Sequence, residues 1–178
     1  MKLRIYLDLD ETLVWTARSS YHPALVNLPD RRIVGEYTTF LRPGVKELIH
    51  ACQAVGETAI FTSGEEKFQT AVLAAHYITG IKVYGADTKQ LPEADHQILV
   101  EDLDINCMGA QDKLHKLLAR ESIDHWGRIE EPLPKSISYI KVKPWGLPNR
   151  PDQELGFAAQ KIQAIARELQ KSAIPEIS

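Results

Sequence analysis

Two aspartates two residues apart, Asp8 and Asp10, close the short apolar run Leu3-Arg4-Ile5-Tyr6-Leu7, and Thr12 follows two residues further on. A regular strand through both acids would turn them to one face, and a strand ending at Asp8 would let the chain curl so that both reach one small space. Carboxylates held that close need a cation, a shared proton or solvent to relieve their repulsion. The carboxyl end of an apolar strand is also where open α/β sheets place their ligands.

Three more groups have the same placement, at a strand end or just beyond it. The apolar run Thr58-Ala59-Ile60-Phe61 ends in Thr62-Ser63-Gly64, offering a hydroxyl and backbone N–H groups to a phosphate at the start of a helix. Ser63, with Glu66 three residues on, reads as a capping box and hence as the N-cap, which leaves Thr62 to face the site. His96-Gln97-Ile98-Leu99-Val100 runs into Glu101-Asp102, a second acidic pair suited to oxygen coordination of Mg²⁺. Lys89, twelve residues before Glu101, lies in a connection that could bring an ammonium to a phosphoryl oxygen.

The elements that must carry these groups alternate between strand and helix. Strands are expected over 3–8, 58–61, 81–83 and 96–100. Helices are expected from Pro43 to near Gly56, from Ser63 to about Tyr77, and from about Ala110 to Ala119 with Leu114, Leu117 and Leu118 inward. That order argues for an α/β domain, a mainly parallel sheet flanked by helices. The stretch 21–41 is turn-rich and β-like: Ala24–Leu28 and Arg32–Val34 flank Pro29-Asp30-Arg31 as a hairpin, and Tyr37–Leu41 follows as a third strand. Residues 123–151 hold five prolines and a strand-like Ile137–Val142, which suits an extra sheet edge. A last helix, capped by Asp152, repeats apolar residues at Leu155, Ala158, Ile162, Ile165 and Leu169, the stripe of a helix docked on its parent domain.

Acidic pair, hydroxyl, lysine and second acidic pair, in that order on an alternating chain, resemble the haloacid dehalogenase (HAD) superfamily of phosphotransferases over about residues 1–120. Within it, Asp8-Leu9-Asp10-Glu11-Thr12-Leu13, Leu41-Arg42-Pro43-Gly44-Val45 and Ile60-Phe61-Thr62-Ser63 are most similar to the phosphatases that act on the RNA polymerase II C-terminal domain, the NLI-interacting-factor-like group. Those relatives usually carry Asp-Asn where this chain has Glu101-Asp102. The resemblance implies a Rossmann-like HAD fold and hydrolysis of a phosphomonoester through an aspartyl-phosphate. Asp8 would be the nucleophile and Asp10 the acid and base, with Thr12 orienting Asp10. Thr62, Ser63 and Lys89 would bind the phosphate. Asp8, the Asp10 carbonyl and Asp102 would hold Mg²⁺, with Glu101 supporting or exchanging roles with Asp102.

Bulk properties bound the partners. At 178 residues the chain is expected to form a single domain, with a small β insertion at 21–41, a C-terminal extension at 123–178 and no large cap. Without a lid, a small metabolite would be poorly enclosed, whereas a macromolecule supplies its own cover. A phosphorylated protein is therefore expected ahead of a polynucleotide 3′-phosphate or a metabolite, and a non-catalytic binding module stands last because both Asp8 and Asp10 are intact. The net charge of -3 gives no global attraction to nucleic acid or an anionic membrane, and Lys135, Lys141, Lys143 and Arg150 around Trp145 read as a solvated face ahead of a modest nucleic-acid surface. Cys52 and Cys107 have no C-x-x-C spacing, and no apolar run suggests a signal peptide or membrane span, so a cytoplasmic location is expected. The oligomeric state is not encoded in any of these features.

Overall fold

In a computed structural model, which describes residues 1–19, 30–89, 91–118, 133–146 and 152–173, the strands that carry the acids lie at the centre of one sheet. The strands β1 (Leu3–Leu7), β5 (Glu57–Phe61), β6 (Lys82–Tyr84), β7 (His96–Glu101) and β8 (Ile137–Lys141) form it in the order β6-β5-β1-β7-β8. Every neighbouring pair is parallel. Such a sheet must be covered on both faces, which is why its strands read as apolar runs.

The two faces divide the core. Ile5, Leu7, Ile60, Ile98 and Val100 point to one side, where helices α1 (Val45–Gln53), α2 (Glu66–Ala75) and α4 (Glu154–Ser172) bring Leu48, Val72, Leu155 and Ile162 against them. Tyr6, Phe61 and Leu99 point to the other, where α3 (Met108–Leu117) supplies Leu114 and Leu117. Helix α4 packs along α1 through the expected stripe, with Leu155, Ala158, Ile162 and Ala166 buried. The strand-like segment near 140 is the sheet edge, β8, in parallel register with β7.

A second, antiparallel sheet, β2-β4-β3, grows directly out of the Asp8–Thr12 segment. It consists of β2 (Val14–Arg18), β3 (Arg32–Val34) and β4 (Tyr37–Leu41). Within it β3 turns back on β4 through Gly35, which takes φ 58, and β2, not anticipated from the sequence, pairs along all of β4. The segment Ala24–Leu28 lies outside the described residues. Among the described residues this three-stranded sheet is the only insertion beside the main fold, and no helix is long and apolar enough to cross a membrane.

Candidate active site

The site forms where β1, β5 and β7 end. Asp8 follows the last residue of β1, and its N–H still donates to the Val100 carbonyl of β7 (2.9 Å), so the ladder fixes where the carboxylate emerges. The chain then turns sharply. Glu11 takes φ 61, and Leu13 and Val14 both donate to the Leu9 carbonyl, which folds Asp10 back beside Asp8. Glu101 ends β7 and Asp102 follows it. The Glu101 Oε1 accepts from the N–H groups of Asp102 (3.1 Å) and Leu103 (3.4 Å).

Asp8, Glu101 and Asp102 are all buried, at 4%, 0% and 5% exposure, and each offers an oxygen within 4.8 Å of the others. Three carboxylates in so small a space are costly without positive charge. Part of that charge comes from Lys113. Its ammonium, 4% exposed on the inner face of α3, donates to Asp8 Oδ1 and to Glu101 Oε2 (2.5 Å for the latter). Burial pulls the lysine towards its neutral form, but the adjacent charges of Asp8 and Glu101 outweigh this and raise its pKa. Burial raises Asp8 against the pull of Lys113. Burial and the charge of Asp8 push Glu101 up to about 7. One ammonium facing three carboxylates leaves an excess of two negative charges when all are ionised. A hard, oxygen-seeking divalent cation fits that donor set, and no His or Cys stands among the three.

Asp10 is held from the other side. Gln69, on the buried face of α2, donates from Nε2 to Asp10 Oδ2 (2.6 Å). Gly64 makes room for that amide, since a Cβ there would lie 2.3 Å from Gln69 Nε2. Burial and the neighbouring Asp8 raise Asp10 to about 6. Thr12 is fully buried and donates to Asp102 Oδ1 (2.9 Å), so its hydroxyl is aimed at the second acidic pair and not at Asp10.

The remaining expected residues lie along a cleft of about 500 Å³ lined by Thr62, Ser63, Lys89, Lys113 and Lys116, among others. Thr62 is buried at the end of β5, where its hydroxyl accepts from the Gly64 N–H (3.0 Å). Ser63 is exposed and does not cap the helix: α2 begins three residues later at Glu66, and Glu65 occupies the N-cap position. The Thr62–Gly64 turn takes up the residues that the capping box would have used. Lys89 is exposed at the mouth of the cleft, and among the described residues no ion pair joins it to the carboxylates. The structure therefore brings together Asp8, Asp10, Glu101, Asp102 and Thr12, while Thr62, Ser63 and the exposed Lys89 line a cleft that reaches this group through Lys113.

Lys113 and Gln69 were missed by sequence reasoning, yet both carry a signal. Lys113 shares the face of Ala110, Leu114 and Leu117, and Gln69 shares the face of Val72 and Leu73. A charged or amide side chain on the core stripe of a helix that follows a functional strand end needs a buried partner. The basic patch foreseen near Trp145 is not a stacking surface. Trp145 is buried, Lys141 pairs with Asp104 and Lys143 with Glu154, while Arg150 lies outside the described residues.

The parallel sheet, with acids at its central strand ends and a small antiparallel insertion beside it, has the HAD fold, as its family and its structural neighbours show. The chain belongs to the NLI interacting factor-like phosphatase family, whose sequence model matches residues 3–116. Among the solved structures that share the architecture are two of differing source. One is Fcp1, described as an essential RNA polymerase II CTD phosphatase, with a TM-score of 0.56 and 12% identity over 96% of this chain. The other is the HAD domain of the effector protein Lem4 from Legionella pneumophila, in an inactive mutant form, with a TM-score of 0.51 and 12% identity over 98% of this chain. This chain spans 64% of the Fcp1 chain and 99% of the Lem4 domain. At such identity the likeness speaks for the fold. No curated protein sequence is recognisably similar.

Proposed function

We propose that this protein is a Mg²⁺-dependent phosphomonoester hydrolase that works through an aspartyl-phosphate on Asp8, with a phosphorylated protein as substrate. The observation that carries the reading is the buried group of Asp8, Glu101 and Asp102 closed by Lys113, with a raised Asp10 beside it. Asp8, Asp102 and the Asp10 carbonyl would hold the cation, with Glu101 supporting them or replacing Asp102. Bound there, a divalent cation supplies charge neutralisation for an anionic nucleophile approaching an anionic ester.

The residues of the chain do the rest. A carboxylate oxygen of Asp8 attacks phosphorus, and the bond from phosphorus to the leaving oxygen breaks. Asp10, raised to about 6, gives its proton to that oxygen. It then takes a proton from the water that attacks the phosphorus of the acyl-phosphate, which frees the Asp8 carboxylate and inorganic phosphate. Gln69 fixes the Asp10 carboxyl for both transfers. The cationic role expected of Lys89 is assigned to Lys113, because Lys113 already touches the nucleophile. Its ammonium and Thr62, buried at the end of β5, face the charge that develops on the transferring oxygens. Lys89 and Ser63, at the exposed end of the cleft, meet the substrate beyond the scissile group.

Among the described residues that line the cleft none belongs to the three-stranded sheet, which favours a substrate that brings its own cover, and family membership points the same way. The two free cysteines, one buried and one exposed, suit a reducing cytoplasm. The test is a side-by-side screen of phosphoserine and phosphothreonine peptides, 3′-phosphorylated oligonucleotides and phosphorylated metabolites, with Mg²⁺ and with excess EDTA. Phosphopeptides should give the highest kcat/KM, by about 100-fold over p-nitrophenyl phosphate, and EDTA should abolish turnover. A metabolite that outperforms every peptide, or undiminished activity in EDTA, contradicts the reading.

A further inference from the structure

The site is tied to the C-terminal segment by a continuous chain of polar contacts, buried at Thr12 and Arg42 and partly buried at Asp152. Asp152, just before α4, uses both carboxylate oxygens: Oδ2 accepts from Arg42 Nε, and Oδ1 accepts from the Glu154 N–H (2.9 Å). Arg42 is 2% exposed, among the largest buried side chains, and the other arm of its guanidinium donates from Nη1 to the Thr12 carbonyl (2.9 Å). Its own backbone N–H donates to the Leu13 carbonyl (2.9 Å). Thr12 in turn gives its one hydroxyl hydrogen to Asp102 Oδ1 (2.9 Å). A second tether runs alongside, from the Trp145 N–H to the Glu11 carbonyl (2.7 Å).

We infer that the C-terminal segment, through Asp152 and Arg42, is a positioning element for the acidic pair: it holds Thr12 in place, and Thr12 fixes the rotation of the Asp102 carboxylate. The inference rests on the reading above that Asp102 faces the divalent cation. Three features support a role beyond attaching α4. The guanidinium forks between Asp152 and the main chain of the acidic turn, where an apolar contact would have anchored the helix at lower desolvation cost. The turn it grips holds Glu11 at φ 61, a conformation that a non-glycine residue keeps only when its surroundings enforce it. The Thr12 hydroxyl has a single hydrogen, so committing it to Asp102 leaves that carboxylate one preferred orientation. Hydrogen-bond partners of metal-ligating carboxylates commonly change metal affinity by about 10- to 100-fold when removed. Asp152 and Arg42 are thus positioning residues, acting through Thr12.

The experiment is a double-mutant cycle read by calorimetric titration of Mg²⁺ into the substrate-free protein, so that no turnover is involved. Asp152→Asn keeps an acceptor for Arg42 but removes the charge, and Thr12→Val removes the hydroxyl while keeping the shape. Each should weaken Mg²⁺ binding about 10-fold, and the double variant should bind within about twofold of Thr12→Val alone, because the two act in series. Leu155→Ala, which loosens α4 through the core, should lower Tm yet leave the Mg²⁺ affinity within about twofold. An Asp152→Asn protein that loses Tm but binds Mg²⁺ like wild type, or a fully additive cycle, overturns the inference. Should Asp152→Asn not fold, Arg42→Lys, which keeps the ion pair but not the forked reach to Thr12, must weaken Mg²⁺ binding in the same way, and unchanged affinity there is equally fatal. Wild-type protein that binds no Mg²⁺ at all would instead remove the reading on which the inference rests.

Discussion

The two ends of the cleft treat the same residue type in opposite ways. At the inner end Lys113 is 4% exposed and bonded to two carboxylates, while at the outer end Lys89 is exposed, with no such ion pair among the described residues. Burial makes the difference. A lysine in water is a mobile, well-hydrated charge whose exposed ion pairs contribute about 0–1 kcal/mol, whereas a desolvated ammonium between fixed carboxylates is oriented before substrate arrives. On the proposed reading the inner end serves the reacting group and the outer end whatever that group is attached to.

The comparison is most easily broken by exchanging the two lysines for a shape-mimicking apolar residue. Lys113→Met should lower kcat for p-nitrophenyl phosphate by about 100- to 1000-fold with Mg²⁺ saturating, the usual consequence of removing one preorganised oxyanion donor. It also leaves Asp8 and Glu101 buried without their ammonium, so a urea titration should show a loss of stability at neutral pH.

How much of this was legible in the sequence follows the same division. The acids at 8, 10, 101 and 102 could be read because each lies at or just beyond the end of an apolar strand, and strand ends in an open α/β sheet converge. Lys113 could not be read in the same way, because its neighbours Leu114 and Leu117 present an ordinary helical stripe and nothing local reveals which strand end that stripe faces. β2 was hidden for a different reason: Val14–Arg18 follows the acidic turn without glycine or proline, the reversal being made by Glu11 at positive φ. The pairing of α4 with the acidic turn depends on Arg42 and Asp152, 110 positions apart, a separation that no local pattern encodes.

A smaller effect should appear in the pH dependence of the inner end. Asp10, raised to about 6 by burial and by Asp8, must be protonated to serve an alkoxide leaving group. Turnover of a phosphoserine peptide should therefore fall as pH rises through about 6, approaching tenfold per unit, because the protonated fraction falls. For p-nitrophenyl phosphate, whose phenolate leaves without help, that limb should be much flatter. Identical limbs for the two substrates would take the proton-donor role from Asp10.

The least change is expected at the rim. Lys89→Met should leave p-nitrophenyl phosphate turnover within about threefold of wild type, less than about 0.7 kcal/mol, and raise KM chiefly for phosphopeptides. A loss as large as that of Lys113→Met would return the inner role to Lys89 and erase the contrast between the two ends.

The central claim, that Asp8 carries the phosphoryl group, is tested most directly by rapid acid quench of the enzyme during turnover, followed by peptide mass spectrometry. The peptide containing Asp8 should carry one phosphoryl group in wild-type protein and none in Asp8→Asn, which should also retain less than about a thousandth of the activity, a barrier increase above about 4 kcal/mol. A phosphoryl group trapped on any other side chain, or an Asp8→Asn protein that keeps more than about a tenth of the wild-type rate, would contradict the account.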